Sequence, residues 1–423
     1  MDICVENGAL SGKIQAISSK SDVHRFLIAA ALANGVSTIR FTTLSEDIKA
    51  TIAVLRALGA KIEIADGFVA TVYGIENANR DITLDANECG TTARLMLPIA
   101  AALTDVFTLT GKNGLLKRPF FDLCKCMGEN GATCDKDTLP ISVQGKLKSG
   151  IYKIRGDVSS QYISGLLFAL PLLDGTSEIH LTTPLVSSGY VDMTVKTLSL
   201  FGINVEKSEN GFKIKGNQHY TAVENYVAEG DWSNSCFWLL AGLFGDVTVL
   251  GLDKNSLQKD RLVLEILHKM GADISYDKGI RVKKSSLSAT SFNGEDIPDA
   301  LPMLASALSL ADGKSVISGG ARLKIKESDR IKSTADMLNS IGGKVSGTDD
   351  GFIINGVKNF SGGKVNAEND HRIVMCAAVA ASAATSPITI VGAEAVNKSY
   401  PTFFEDFEKL GGKHTCQVNS GAK

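Results

Sequence analysis

The sequence predicts an α/β protein assembled from six copies of one unit, each with a buried helix, an amphipathic helix and short strands whose sheets cover the buried helices. Three observations carry that prediction. A helical pattern closed by glycine and followed by an extended segment recurs at Leu58-Gly59-Ala60, Asn130-Gly131-Ala132, Phe201-Gly202-Ile203, Met270-Gly271-Ala272, Ile341-Gly342-Gly343 and Leu410-Gly411-Gly412. The glycines lie 72, 71, 69, 71 and 69 residues apart, a regularity that marks internal duplication. Six runs are also apolar on nearly every side, from Phe26 to Ala33, Leu95 to Leu103, Ile163 to Leu173, Cys236 to Phe244, Leu301 to Leu310 and Ile373 to Ala381. Alternating segments such as Gly67-Phe68-Val69-Ala70-Thr71-Val72 and Gly351-Phe352-Ile353-Ile354-Asn355 supply the strands.

Each recurring glycine follows an amphipathic helical pattern and precedes residues such as Lys61-Ile62-Glu63-Ile64. It therefore reads as the residue just past a helix, where a left-handed conformation turns the chain into a strand. The apolar runs are too short to cross a bilayer, which takes about 20 residues, so they read as buried core helices. Small residues such as Ala29-Ala30-Ala31 and Ala100-Ala101-Ala102 let such helices pack closely. Pro98 predicts a kink in the second run and Pro171 the end of the third.

A chain of 423 residues with 44% apolar content is expected to form more than one domain. Its net charge of −2 argues against a nucleic-acid binder, so anion binding must come from local clusters of cations. Eight cysteines without a Cys-x-x-Cys pair and six histidines without ligand spacing predict free thiols and no metal site. Cys124 and Cys126 would point apart on a helix, which argues against a shared metal. The start Met1-Asp2-Ile3-Cys4-Val5-Glu6 carries no cationic apolar signal. The expectation is a soluble cytoplasmic protein, away from membranes.

The buried helices begin with polar groups or glycine in register, at Ser21, Gly90, Ser160, Ser233, Asp299 and Asp370, and these are read as caps. If three repeats form one pseudo-symmetric domain, three helix N-termini emerge on one side of it. Two such faces opposed across a cleft would then concentrate positive potential. Cations accompany the starts. Lys20 precedes the first helix, with Ser21 and Arg25 one turn apart; Gly90-Thr91-Thr92-Ala93-Arg94 repeats the design; Lys117-Arg118-Pro119 and Asp370-His371-Arg372 add guanidinia. Backbone N–H groups, hydroxyls and guanidinia together suit a phosphate or carboxylate.

The most concentrated stretch is Lys324-Ile325-Lys326-Glu327-Ser328-Asp329-Arg330, with three cations and two carboxylates ahead of an amphipathic helix that Asp329 is placed to cap. Taken alone it reads as an exposed helix start, with Lys326–Asp329 and Glu327–Arg330 spaced i,i+3. Carboxylates among so many cations, here Glu327 and Asp299, are expected where acid–base chemistry needs them.

These motifs together resemble the 5-enolpyruvylshikimate-3-phosphate synthases, the 3-phosphoshikimate 1-carboxyvinyltransferases of the enolpyruvyl transferase family. The likeness spans essentially the whole chain and is carried by Ser19-Lys20-Ser21 with Arg25, Gly90-Thr91 with Arg94, Arg118-Pro119, Ser159-Ser160-Gln161, Tyr190, Pro298-Asp299-Ala300, Lys326-Glu327-Ser328-Asp329-Arg330, Asp370-His371-Arg372 and Lys398. It implies two inverse α/β barrel-like lobes of three repeats each, residues 1–18 plus 229–423 and residues 19–228. It implies transfer of the enolpyruvyl group of phosphoenolpyruvate to the 5-hydroxyl of shikimate 3-phosphate through a tetrahedral intermediate. Phosphate is released, in chorismate and aromatic amino acid biosynthesis. No cofactor is implied, and a monomer is expected.

By the same resemblance Lys20, Ser21, Arg25, Ser159, Ser160, Gln161, Ser187, Tyr190, Asp299 and Lys326 contact shikimate 3-phosphate, and Lys20, Gly90, Arg118, Gln161, Arg330, Arg372 and Lys398 contact phosphoenolpyruvate. Asp299 accepts the hydroxyl proton, Glu327 protonates the methylene carbon, and Lys20 assists. The chain departs from the family pattern at Ser18, His24, Glu88-Cys89, Ser188-Gly189 and Lys324, which bears on substrate affinity rather than reaction class. Two rivals stand beside this reading. The related transferase acting on UDP-N-acetylglucosamine carries a catalytic cysteine before its Arg-Pro, and Gly111 to Lys117 has none. A polyanion-binding repeat protein without turnover would leave Asp299 and Glu327 unexplained.

Overall fold

The structure, a computed structural model, describes residues 1–417. The chain divides into two compact units: a split unit of Met1–Ile17 with the chain from Glu229 onward, and a continuous unit of Ser18–Ala228. Among the described residues there are twelve α-helices, six to each unit. The continuous unit holds α1 (Lys20–Leu32), α2 (Glu46–Leu58), α3 (Gly90–Leu103), α4 (Phe121–Gly128), α5 (Ser160–Ala169) and α6 (Ser188–Leu200). The split unit holds α7 (Trp232–Phe244), α8 (Val263–Lys269), α9 (Leu301–Leu308), α10 (Arg330–Ser340), α11 (His371–Ala380) and α12 (Phe403–Lys409). The odd-numbered helices are buried along most of their length; the even-numbered ones bury one face. Each unit has its own apolar core built around its three buried helices.

The even-numbered helices are each followed by a glycine at positive φ, Gly59 at 118°, Gly131 at 98°, Gly202 at 78°, Gly271 at 86°, Gly342 at 95° and Gly411 at 89°. A side chain in that region is costly, which is why the duplication is legible at these positions.

Six four-stranded sheets repeat one arrangement: an edge strand parallel to the second, which is antiparallel to the third, which is antiparallel to the fourth. The second repeat shows it plainly, with Ile82–Asp85 parallel to Val106–Thr110, then Ile141–Gln144 and Thr133–Cys134 antiparallel. The N-terminal strands complete the split unit. Ser11–Gln15 pairs parallel with Asp246–Leu250, and Asp2–Val5 lies between Ile388–Val391 and His414–Gln417, antiparallel to both. In the fifth repeat that third place is taken by Phe352–Asn355, which follows the fourth strand in sequence. The first strand of the chain thus fills the last vacancy of the sixth sheet, and this ties residues 1–17 to a unit made mostly from the second half.

The helix starts differ in detail from the expected caps. Lys20 opens α1 with Ser19 at the N-cap, so Ser21 lies inside the first turn. Cys89, Ser159 and Asp231 cap α3, α5 and α7 in place of Gly90, Ser160 and Ser233. Asp299 caps nothing: it lies in a 3-10 turn, Pro298–Ala300, ahead of α9. Asp370 does cap α11, accepting from Arg372 N at 2.9 Å. Pro98 is carried inside the unbroken helix Gly90–Leu103, where it cannot donate to the carbonyl of Arg94 one turn earlier. A Cβ at Gly165 of α5 would meet that carbonyl at 2.8 Å and the Pro98 ring at 2.8 Å, so glycine there lets α5 press directly onto α3. α5 terminates at Ala169, just before Pro171.

Candidate active site

In the continuous unit the cations sit at the starts of the buried helices. Arg25, 2% exposed, donates from Nε to Thr194 Oγ1 at 2.9 Å, from Nη1 to the Ser21 carbonyl at 2.8 Å and from Nη2 to the Tyr190 carbonyl at 2.9 Å. Its guanidinium also lies 5.9 Å from the Tyr190 ring centre. Burial lowers its pKa to about 10, since the partners are neutral dipoles that replace only part of the lost hydration. Lys20 pairs with Asp47 of α2 at 2.5 Å. Beside it His24 is wholly buried, with Nδ1 2.7 Å from Thr51 Oγ1, which is 2.6 Å from Thr92 Oγ1. Burial, with Lys20 and Arg25 nearby, holds the His24 imidazole neutral.

The close approach of α5 to α3 aligns a second group. Arg94 Nη1 donates to Gln161 Oε1 at 3.0 Å, and Gln161 Nε2 donates to Thr91 Oγ1 at 2.8 Å. A Cβ at Gly90 would lie 2.7 Å from Arg118 Nη1 and 3.2 Å from Arg94 Nη1, so both guanidinia reach the start of α3 only because that residue is glycine. Ser159 Oγ accepts from Gln161 N at 3.3 Å, and Ser160 is buried. Ser187 stands before α6 at φ 51°, a conformation rare outside glycine. Glu88 is turned to Asn113, which donates to it at 2.9 Å.

The split unit gathers its charges around Arg330, 1% exposed. Nε donates to Asp370 Oδ2 at 2.7 Å, Nη1 to Asp299 Oδ1 at 2.6 Å, and Nη2 to Glu327 Oε2 at 2.6 Å and Asp370 Oδ1 at 3.1 Å. Four of the five guanidinium N–H groups are thereby used. Lys326 Nζ approaches Asp299 Oδ1 at 3.3 Å. Burial alone would raise the Asp299 carboxyl, but Lys326, Arg330 and Arg372 outweigh it and hold the group far below the usual carboxylate range. Burial lowers the Lys326 ammonium despite the pull of Asp299. For Arg330 burial works against the cation, yet Asp370, Glu327 and Asp299 keep its pKa well above the ordinary value. Arg372, 3% exposed, donates to the carbonyl and hydroxyl of Ser233, both at 2.8 Å, and its Nε has no hydrogen-bond partner. Lys398 donates to the Asn369 carbonyl at 2.7 Å.

The seven-residue stretch is therefore half ordinary and half not. Asp329 caps α10, accepting from Ile331 N and Lys332 N, and Lys324 pairs with exposed Asp349 at 2.8 Å. The expected Glu327–Arg330 pair forms. Lys326, however, reaches back to Asp299 in place of Asp329. Asp299 leaves helix capping because two cations bind a carboxylate more strongly than backbone N–H groups do. Residues that sequence reasoning passed over are Asp47, Thr51, Thr194 and the central role of Asp370. Only Asp370, expected as a cap, left a local signal.

The geometry can hold anions and move protons near carboxylates, and the comparisons agree with that chemistry. A family model described as EPSP synthase (3-phosphoshikimate 1-carboxyvinyltransferase) matches residues 5–407. A 3-phosphoshikimate 1-carboxyvinyltransferase of Clostridium kluyveri is 42% identical over 410 residues, covering 96% of each chain. One of Clostridium novyi is 40% identical, over 95% of this chain and 96% of that one. Among solved structures, an EPSP synthase from Acinetobacter baumannii superimposes with a TM-score of 0.81 at 28% identity, over 98% of this chain and all of that one. The enolpyruvyl transferase NikO from Streptomyces tendae shares the fold, with a TM-score of 0.77 at 18% identity over 98% of each chain.

Proposed function

The chain belongs to the EPSP synthase (3-phosphoshikimate 1-carboxyvinyltransferase) family, and from that premise we propose which of its residues carry the reaction. The reaction moves the enolpyruvyl group of phosphoenolpyruvate onto the 5-hydroxyl of shikimate 3-phosphate and releases phosphate, a step toward aromatic amino acids. Ser21, Arg25, Ser159, Ser160, Gln161, Ser187 and Tyr190 hold shikimate 3-phosphate, with Lys326 and Asp299 at its hydroxyls. Lys20, Gly90, Arg118, Gln161, Arg330, Arg372 and Lys398 hold phosphoenolpyruvate.

The chemistry follows from where protons must go. Glu327, which takes up a proton once the substrate anions displace it from Arg330, gives that proton to the methylene carbon, which leaves the neighbouring carbon electron-poor. The 5-hydroxyl oxygen attacks that carbon while Asp299 takes the hydroxyl proton, and the tetrahedral adduct forms. The C–O bond to phosphate then breaks, Glu327 takes back a methyl proton as the double bond is restored, and the proton held by Asp299 leaves with the phosphate. The observation that carries this reading is the placement of Asp299 between Lys326 and Arg330. Three cations keep it ionised and so able to accept a proton, but weakly basic. When phosphate and carboxylate groups claim Arg330, their charge offsets its hold on Asp299, whose basicity rises as substrate binds.

The test is phosphate release by the purified chain. Release from phosphoenolpyruvate is expected only when shikimate 3-phosphate is added, and not with UDP-N-acetylglucosamine. No release at millimolar substrates, or release with the nucleotide sugar, would overturn the assignment. On this reading the enzyme is a cytoplasmic monomer; its eight free cysteines suit a reducing compartment, and a stable dimer in sedimentation would refute the monomer. No helix among the described residues is long and apolar enough to cross a membrane.

A further inference from the structure

We propose that His24, Asp47 and Cys89 form a binding site for a thiophilic divalent cation of the zinc class. One nitrogen, one oxygen and one sulfur atom from the three side chains lie within 4.8 Å of one another, brought together by α1, α2 and the start of α3. That donor set suits zinc and its neighbours, not magnesium or calcium. Bond lengths of 2.0–2.3 Å around a tetrahedral ion place donors about 3.5 Å apart. Small side-chain rotations therefore close the cluster on an ion.

His24 supplies the independent sign of a ligand. The ring is wholly buried, Nδ1 is engaged by Thr51, and Nε2 has no hydrogen-bond partner. An orphaned nitrogen in a fully buried ring is costly. With Nδ1–H donating to Thr51 Oγ1, which can in turn donate to Thr92 Oγ1, Nε2 carries the lone pair, the usual arrangement of a metal-bound imidazole. Thr51 leans in turn on Thr92, so the ring orientation is set from α2 and α3. Cys89 Sγ accepts from Thr92 N at 3.3 Å, which fixes the sulfur at the start of α3, within 4.8 Å of the His24 and Asp47 donors. Asp47 is shared: its Oδ2 pairs with Lys20. A bound cation therefore competes with Lys20 for that carboxylate, and occupancy of the site is coupled to the lysine proposed above to hold phosphoenolpyruvate.

The test uses the full-length protein stripped with chelator and titrated with Co²⁺. One equivalent is expected to bind with a thiolate-to-cobalt charge-transfer absorption, and zinc to abolish it. Cys89→Ser keeps a good N-cap acceptor for Thr92 and should remove the band. His24→Asn keeps a polar partner for Thr51 but lacks Nε2, and should weaken binding by at least roughly tenfold. Loss in either variant with the native circular dichroism retained supports the site. A band of full strength in Cys89→Ser, unaltered affinity in His24→Asn, or no saturable binding at millimolar Co²⁺ would overturn it. These readouts do not depend on turnover, so failure of the proposed reaction leaves them standing.

Discussion

Arg330 and Arg25 are equally buried, yet Arg330 donates to three carboxylates and Arg25 to none. The first is held above the ordinary arginine range and the second falls to about 10. In the split unit Lys326, Arg330 and Arg372 are matched by Asp299, Glu327 and Asp370, so the cluster is near neutrality before any ligand arrives. A buried charge must be compensated either by a countercharge from the chain or by one that comes from outside. Arg25 donates only to neutral groups, and on the proposed reading a substrate phosphate completes its environment; Arg330 already has its anions, and a ligand proposed there must exchange with Asp299 or Glu327. On the proposed reading, the exchange that admits substrate also frees the carboxylates for proton transfer.

Removing the two arginines breaks or upholds that contrast most directly. Arg330→Met strands wholly buried Asp370 with two further carboxylates and should destabilise the split unit by about 3–5 kcal/mol. Arg25→Met leaves only neutral hydrogen-bond partners behind and should cost about 1–3 kcal/mol while strongly weakening the binding of shikimate 3-phosphate proposed for it. Urea unfolding followed by hydrogen exchange in each unit measures both, and equal losses would end the comparison. Next in size, Glu327→Gln keeps the shape of the cluster and removes the proposed proton donor. It should lower kcat by roughly 10²–10⁴-fold with KM for both substrates little changed; collapse of binding with turnover intact would make Glu327 structural.

Gly90→Ala probes the continuous unit, since its Cβ displaces Arg118 and Arg94. Loss of one charge-assisted contact predicts a rise of roughly tenfold or more in KM for phosphoenolpyruvate, seen in initial rates. Acid acts more mildly. Asp299 binds its proton less tightly in the folded chain than in the unfolded one. Its contribution is thus complete above the unfolded value of about 4 and lost as pH falls below it. Asp299→Asn should flatten that acid limb in pH-dependent unfolding. Least of all, Lys324→Ala removes only an exposed pair with Asp349 and should change stability by under about 0.5 kcal/mol.

Much of the fold was legible because the signals are local. The glycines after α2, α4, α6, α8, α10 and α12 advertise positive φ, and the apolar runs advertise burial. Asp329 was readable as a cap because its partners are two and three residues away. The caps at Cys89, Ser159 and Asp231 were misplaced by one or two residues, since a helix start is chosen by whichever side chain reaches the N–H groups first. Asp299 misled in a different way. Its preceding isoleucine and proline suggest a cap, while its real partners lie 27 and 31 residues ahead.

By itself the sequence determined that there are six repeats, where each helix stops, and which residue types crowd the helix starts, because periodicity and backbone conformation depend on neighbours within one or two turns. Tertiary structure alone decided which charges meet. Lys20 finds Asp47 across 27 residues and Arg330 finds Asp370 across 40. No spacing rule anticipates that His24, Asp47 and Cys89 converge. Such meetings are set by how buried helices pack against one another, and packing is a property of surfaces that the chain acquires only once it has folded.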